Sequence, residues 1–136
     1  MRRFATILTT ILASLLIAAP AYAGSAHFVD DHLSVARDGD SLTASGKIAG
    51  LGDEPQVHVV LSATAECVNP GGNKPQAANK QSLSAEGDFP VQNGKAYFDL
   101  TVTAVFSPSC SPPMSVEFSD VTVTAAGITV AVPGVF

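Results

Sequence analysis

The chain has no tryptophan, and its rings amount to two tyrosines and seven phenylalanines in 136 residues. That scarcity argues against the aromatic platforms on which polysaccharides stack. Histidine is scarce too, with three copies, so any histidine-dependent centre must use His27, His32 or His58. There is no G-x-S-x-G elbow, no H-E-x-x-H helix and no phosphate-cradling glycine loop, and no histidine stands in a context that suggests burial beside a nucleophile. An enzyme is therefore not expected, and neither is a cofactor. Lysine and arginine number seven against twelve acidic residues. Without a basic patch to displace counterions from phosphate, nucleic acid is disfavoured as a partner.

Long apolar runs are also missing, except at the start, "MRRFATILTTILASLLIAAPAYAG". Arg2 and Arg3 are followed by an almost uncharged run from Ile7 to Ala19, and Ala21-Tyr22-Ala23 supplies the small residues that signal peptidase requires. This pattern predicts a signal peptide over 1–23, cleaved after Ala23. The run is short for a bilayer crossing and no basic stop-transfer cluster follows, so no membrane association is expected after cleavage. Position 24 is glycine, which excludes a lipid-modified cysteine there. What remains, 24–136, has the length of a single domain. It keeps five basic residues against twelve acidic ones, the balance of a soluble extracellular monomer.

Only two cysteines occur, Cys67 and Cys110. Their spacing lacks the C-x-x-C signature of metal and redox pairs, and an exported chain meets an oxidising environment. A disulfide between them is expected.

Period-2 stretches rich in Val, Thr and Phe recur between turn signals, and no amphipathic helix competes with them. Strands are predicted near 32–37 and 41–49 around Asp38-Gly39, then through "VHVVLSATAEC", near 81–91, through "KAYFDLTVTAVF", through "MSVEFSDVTVTA" and over 128–132. In the third of these, Val57, Val59, Leu61, Ala63, Ala65 and Cys67 share one face, which places the sulfur inside. Pro90 demotes the 81–91 strand to an edge, and Asn93-Gly94 is a hairpin signal before the next strand. Between Phe118 and Val121 the apolar phase changes, as a bulge or a switch of sheets requires. About seven strands in this length predict an all-β, immunoglobulin-like antiparallel sandwich with one disulfide. Cys110 lies beyond the end of its strand, so the bridge is expected to tie strand tips and loops together rather than to cross the core.

The loop after Cys67, "VNPGGNKPQAANK", is long for a connection in a small domain, and such loops are commonly functional. Asn69, Asn73, Lys74, Asn79 and Lys80 are its candidate contact residues, facing a second Pro/Ser-rich segment at 107–113. His27, Asp30, Asp31 and His32 gather metal-ligating groups, but their spacing matches no common zinc pattern, and a mobile N-terminal arm without metal is expected. The acidic pairs Asp38/Asp40, Asp53/Glu54 and Glu86/Asp88 are read as turn residues, and His58 as a surface residue.

The runs "DSLTASGKIAGLGDEPQVHVVLSATAECVNPGGN" and "FPVQNGKAYFDLTVTAVFSPSCSPP" resemble a group of small secreted β-sandwich proteins of filamentous Gram-positive bacteria. More distantly, "GLG", a strand, Cys-x-Asn-Pro and then "NGKAYFDLTV" are similar in order to the immunoglobulin-like apoproteins that carry enediyne antibiotics. Those carriers hold two disulfides and a ligand cleft; this chain has cysteines for one. The leading expectation is a secreted binding module for an unknown protein or small-molecule ligand, touching it through 68–80 and 107–113. The alternatives are a carrier of an apolar small molecule, implied by the distant resemblance, and a secreted enzyme.

Overall fold

The computed structural model describes residues 25–70 and 79–136. The predicted signal peptide lies outside them, as do Asn73 and Lys74 of the long loop. Strands form where apolar and polar residues alternate: β1 (His27–Phe28), β2 (Ser34–Asp38), β3 (Ser41–Ala49), β4 (Gln56–Val68), β5 (Lys80–Pro90), β6 (Ala96–Thr103), β7 (Ser115–Ala125) and β8 (Ile128–Val132). A 3-10 turn at Asp30–His32 separates the first two.

Every strand pairing is antiparallel. In one sheet β3 is central, with β6 along one side and β1 and β2 in succession along the other. The second sheet runs β5-β4-β7-β8. Counting β1 and β2 as one interrupted edge strand leaves seven strands among the described residues, three facing four, and they form the expected immunoglobulin-like sandwich.

The core fills the space between the sheets with Leu42 and Ile48 of β3, Val59 and Leu61 of β4, and Phe118 and Val123 of β7, all fully buried. Among the described residues no polar side chain is buried. The interior thus needs no hydrogen-bond network to satisfy, and its stability rests on apolar burial and packing. The change of phase in β7 is a bulge: the register with β4 shifts between Ser62 and Thr64, and Asp120 takes φ 51° at that point.

Three sequence expectations are corrected. The N-terminal residues do not form a free arm, because His27 and Phe28 pair with Ala49 and Ile48, and Val29 N–H donates to the Lys47 carbonyl at 2.9 Å. Phe28 explains it: the ring meets Phe98 edge-on at 6.1 Å and carries the segment onto the core. The strand expected from 32 starts at Ser34, since the 3-10 turn takes up His32. Asn93-Gly94 does turn the chain, at φ 53° and 74°, but β5 and β6 belong to different sheets. Only Gln92 and Lys95 pair across that turn, which carries the chain round the edge of the sandwich.

Gly46 sits inside β3 opposite Phe98, where a strand would normally favour a side chain. A Cβ there would come within 2.8 Å of the Phe98 ring. The glycine makes room for that ring, which also packs against Phe89 at 6.4 Å. Replacing a strand glycine by alanine ordinarily stabilises. Gly46→Ala should instead destabilise by about 1–3 kcal/mol through overpacking. Urea denaturation with an unchanged slope checks this, and a midpoint equal to or above wild type would refute the packing account.

Candidate functional site

β4 sets the geometry of one pole of the sandwich. Its inward alternation brings Cys67, almost fully buried, to the end of the strand, where it is bonded to Cys110 with Cα atoms 5.7 Å apart. Cys110 lies in the crossing from β6 to β7, so the expected tie between strand tips and loops is present. Met114 Sδ packs 3.8 Å from Cys67 Sγ and shields one side of the bridge.

Side chains pin the neighbouring backbone. Gln81 Nε2–H donates to the Val105 carbonyl, and Val105 N–H donates to Gln81 Oε1 at 3.2 Å. Arg37 reaches from the edge of one sheet to donate to the Val116 carbonyl of the other at 2.6 Å. Ala104 N–H bonds the Asp40 carbonyl at 2.8 Å. Held by these contacts, Val105 is 74% exposed, and Ser107, Pro108, Ser109, Ser111, Pro112 and Pro113 stand open to solvent beside it.

The candidate loop residues have different fates. Asn69 is exposed just beyond β4, and Asn79 is half-buried before β5. Lys80 opens β5 opposite Glu66, and its Nζ lies 3.2 Å from that carboxylate, so its charge is engaged within the protein. The described part of the loop and the 107–113 segment do share this pole, with Asn69 and Val105 as exposed side chains.

His58 has more company than its sequence context suggests. Glu86 and Asp88, read as turn residues, are in β5, with Asp88 directly opposite His58 and Glu86 opposite Val60. His58 Nδ1 lies 2.7 Å from Asp88 and Nε2 lies 3.2 Å from Glu86. The signal was readable: Leu83, Ala85, Gly87 and Phe89 alternate with Ser82, Ser84, Glu86 and Asp88, which places both carboxylates on the outward face that His58 shares. The hydrogen bond to Asp88, then that to Glu86, raises the imidazole pKa above its ordinary value. Two carboxylates on opposite ring nitrogens hold a proton there; they do not converge on one metal ion.

Among the described residues no three His, Cys, Asp or Glu side chains form a metal-sized cluster. His27 donates from Nδ1 to the Ser25 carbonyl at 2.8 Å, and His32 lies edge-on to Tyr97 at 6.3 Å. No described helix is long and apolar enough to cross a membrane. At the pole opposite the disulfide, residues 50–55 and 91–95 border an open depression of about 600 Å³ that includes Asp53 and Glu54.

No protein-family model, curated protein or solved structure matches the chain.

Two outcomes follow from this geometry. The bridge closes a span of 43 residues. In the chain-entropy account that is worth about 4 kcal/mol, so the double variant Cys67→Ala/Cys110→Ala should lose a comparable amount of unfolding free energy in urea titrations. A loss well under about 1 kcal/mol would show that the bridge ties ends already held together. For His58 the folded-state pKa exceeds the unfolded one. Its stabilising contribution is therefore fully present below about pH 6.5 and fades as pH rises through the folded value. The gap in urea midpoint between wild type and His58→Gln should be wider at about pH 5.5 than at about pH 8.5; a gap that does not vary with pH would contradict the clamp.

Proposed function

We propose that the protein is a secreted binding module whose contact surface is the disulfide pole. The supporting observation is the way this pole is built. Exposed Pro/Ser chain without ladder pairing is held by a disulfide at Cys110, by Gln81 at Val105 and by Asp40 at Ala104. A surface whose shape is fixed beforehand loses little conformational entropy on binding. Val105 supplies an apolar anchor in the midst of polar groups, the composition of an interface centre ringed by hydrogen-bonding residues. Asn69 and Ser109 supply that ring.

Export is part of the proposal. Disulfides persist in oxidising compartments, and the N-terminal pattern of Arg2, Arg3, the apolar run and Ala21-Tyr22-Ala23 supplies the route.

The test is affinity capture from the culture medium of the producing cells on immobilised protein. Wild type is compared with Val105→Glu and with Asn69→Ala/Ser109→Ala. Both variants change exposed side chains and should unfold at the wild-type temperature. Val105→Glu should reduce retention of the specific partner at least about tenfold, as expected for the loss of an apolar anchor. Retention unchanged in both variants would place the contact surface elsewhere.

A further inference from the structure

The pole away from the disulfide carries a second surface of different chemistry. Leading into β6 and along it, the outward positions after the turn are Lys95, Tyr97 and Asp99. Tyr97 is 63% exposed, one of three large hydrophobic side chains left open among the described residues, with Val105 and Val135. Its cross-strand partner is Lys47, whose Nζ stands 5.4 Å from the ring centroid, and His32 meets the ring edge-on. A ring tethered by two neighbours is an oriented surface. It lines an open depression of about 390 Å³ together with Pro90, Gln92, Asn93 and Lys95.

The backbone of this depression is rigid. Gln92 N–H donates to the Lys95 carbonyl at 2.8 Å, and Lys95 N–H returns a bond to Gln92 at 3.0 Å. Leu51 N–H donates to Gly94 at 2.9 Å and Val91 N–H to Pro55 at 3.1 Å, which fasten this turn to the 50–55 loop. Binding there would need little reordering.

Charge narrows the ligand. Lys47 and Lys95 make no ion pair among the described residues, although the chain as a whole is acidic. Among the described residues no carboxylate lines this depression; Asp53 and Glu54 border the neighbouring one, which Asn93 and Lys95 also line, and Asp99, farther along the face, is beyond ion-pair reach of either lysine. The N–H groups of Leu51, Val91, Gln92 and Lys95 are all engaged by carbonyls, so the main-chain donors there are largely spent within the fold. The functional groups of its lining are an aromatic ring, two side-chain amides and the Lys95 ammonium, with the Lys47 ammonium beside the ring. One exposed tyrosine makes no extended platform for a polysaccharide, but it is enough for a single sugar ring to stack its C–H face, while the sugar hydroxyls suit Gln92 and Asn93 and a carboxylate on the sugar suits a lysine.

We propose that Tyr97, with Gln92, Asn93, Lys95 and Lys47, forms a subsite for a carboxylate-bearing saccharide, a uronate unit. The site is separate from the disulfide pole and stands or falls independently of it.

Titration of the ¹⁵N-labelled protein with tetragalacturonate and with a hyaluronan tetrasaccharide, followed by amide chemical shifts, tests the subsite. Fully methyl-esterified tetragalacturonate serves as the uncharged control. At least one acid should shift the amides of 92–97 and Lys47 in a saturable way. Tyr97→Thr should weaken that binding about tenfold, whereas Tyr97→Phe keeps the ring and should retain it. Lys95→Met should weaken binding of the acid roughly threefold and leave the ester unchanged. The subsite is overturned if neither acid shifts these amides at about 10 mM, if the shifts map to another surface, if the ester binds as tightly as the acid, or if Tyr97→Thr has no effect.

Discussion

The register of β4 is the constraint from which the rest of the molecule follows. This thirteen-residue strand is hydrogen-bonded on both sides, to β5 and to β7, and every second side chain from Val57 to Cys67 faces the core. A slip by one residue would turn Val59 and Leu61 out to water and His58 and Ser62 into an interior that, among the described residues, holds no polar side chain. The penalty is large enough to lock the alignment. Once locked, it fixes both ends of the strand. Cys67 arrives within bonding distance of Cys110 at one end, and His58 stands between Glu86 and Asp88 towards the other.

The two poles hold their loops by different means. At the disulfide pole the segment after β6 leaves the ladder at Thr103, and Ala104 and Phe106 stay buried without strand partners. A covalent bond and the Gln81 side chain replace the missing ladder. At the opposite pole two short loops bond to each other through main-chain groups, and Leu51 fills the space beneath them, fully buried. A loop made of proline and serine has few amides to donate and few apolar side chains to bury, so it must borrow order from outside itself. One closed by Asn93-Gly94 carries its own turn chemistry and needs no such help.

Alternation made the strands legible. Faces assigned from Val57 to Cys67 and across the phase change after Phe118 are the faces observed, because a period of two with one buried side leaves a single solution. The N-terminal segment was misread because its contribution rests on one ring, Phe28, and a single apolar residue shows no period. Asn93-Gly94 was misread in part: the dipeptide encodes a local reversal, while the sheet that each flanking strand joins is decided by distant pairing with β3 and β4. The role of Gly46 could not be read at all, since nothing local says which ring will lie over it. The His58 clamp is legible in the sequence, because the alternation around Glu86 and Asp88 places them in a strand and not in a turn.

The outer faces and edges carry features that disfavour pairing of one sandwich with another. Hydroxyls on neighbouring strands bond one another at Ser41–Thr103, Thr43–Thr101 and Thr124–Thr129, each within 2.9 Å. These hydroxyls are satisfied by one another, which leaves the rows they occupy polar. The β5 edge carries Lys80, Glu86 and Asp88 and ends at Pro90, while the β8 edge is five residues long. Charge, proline and brevity are the devices that keep an open ladder from recruiting another strand. Against that background Tyr97 and Val105 are unusual, for each leaves an apolar side chain in water on a surface otherwise made to avoid it. Each is also tethered, by Lys47 and His32 in one case and by Gln81 in the other. Exposure alone is common on protein surfaces; exposure combined with a contact that holds the Tyr97 ring, or the Val105 main chain, is the ground on which the two proposed contacts rest.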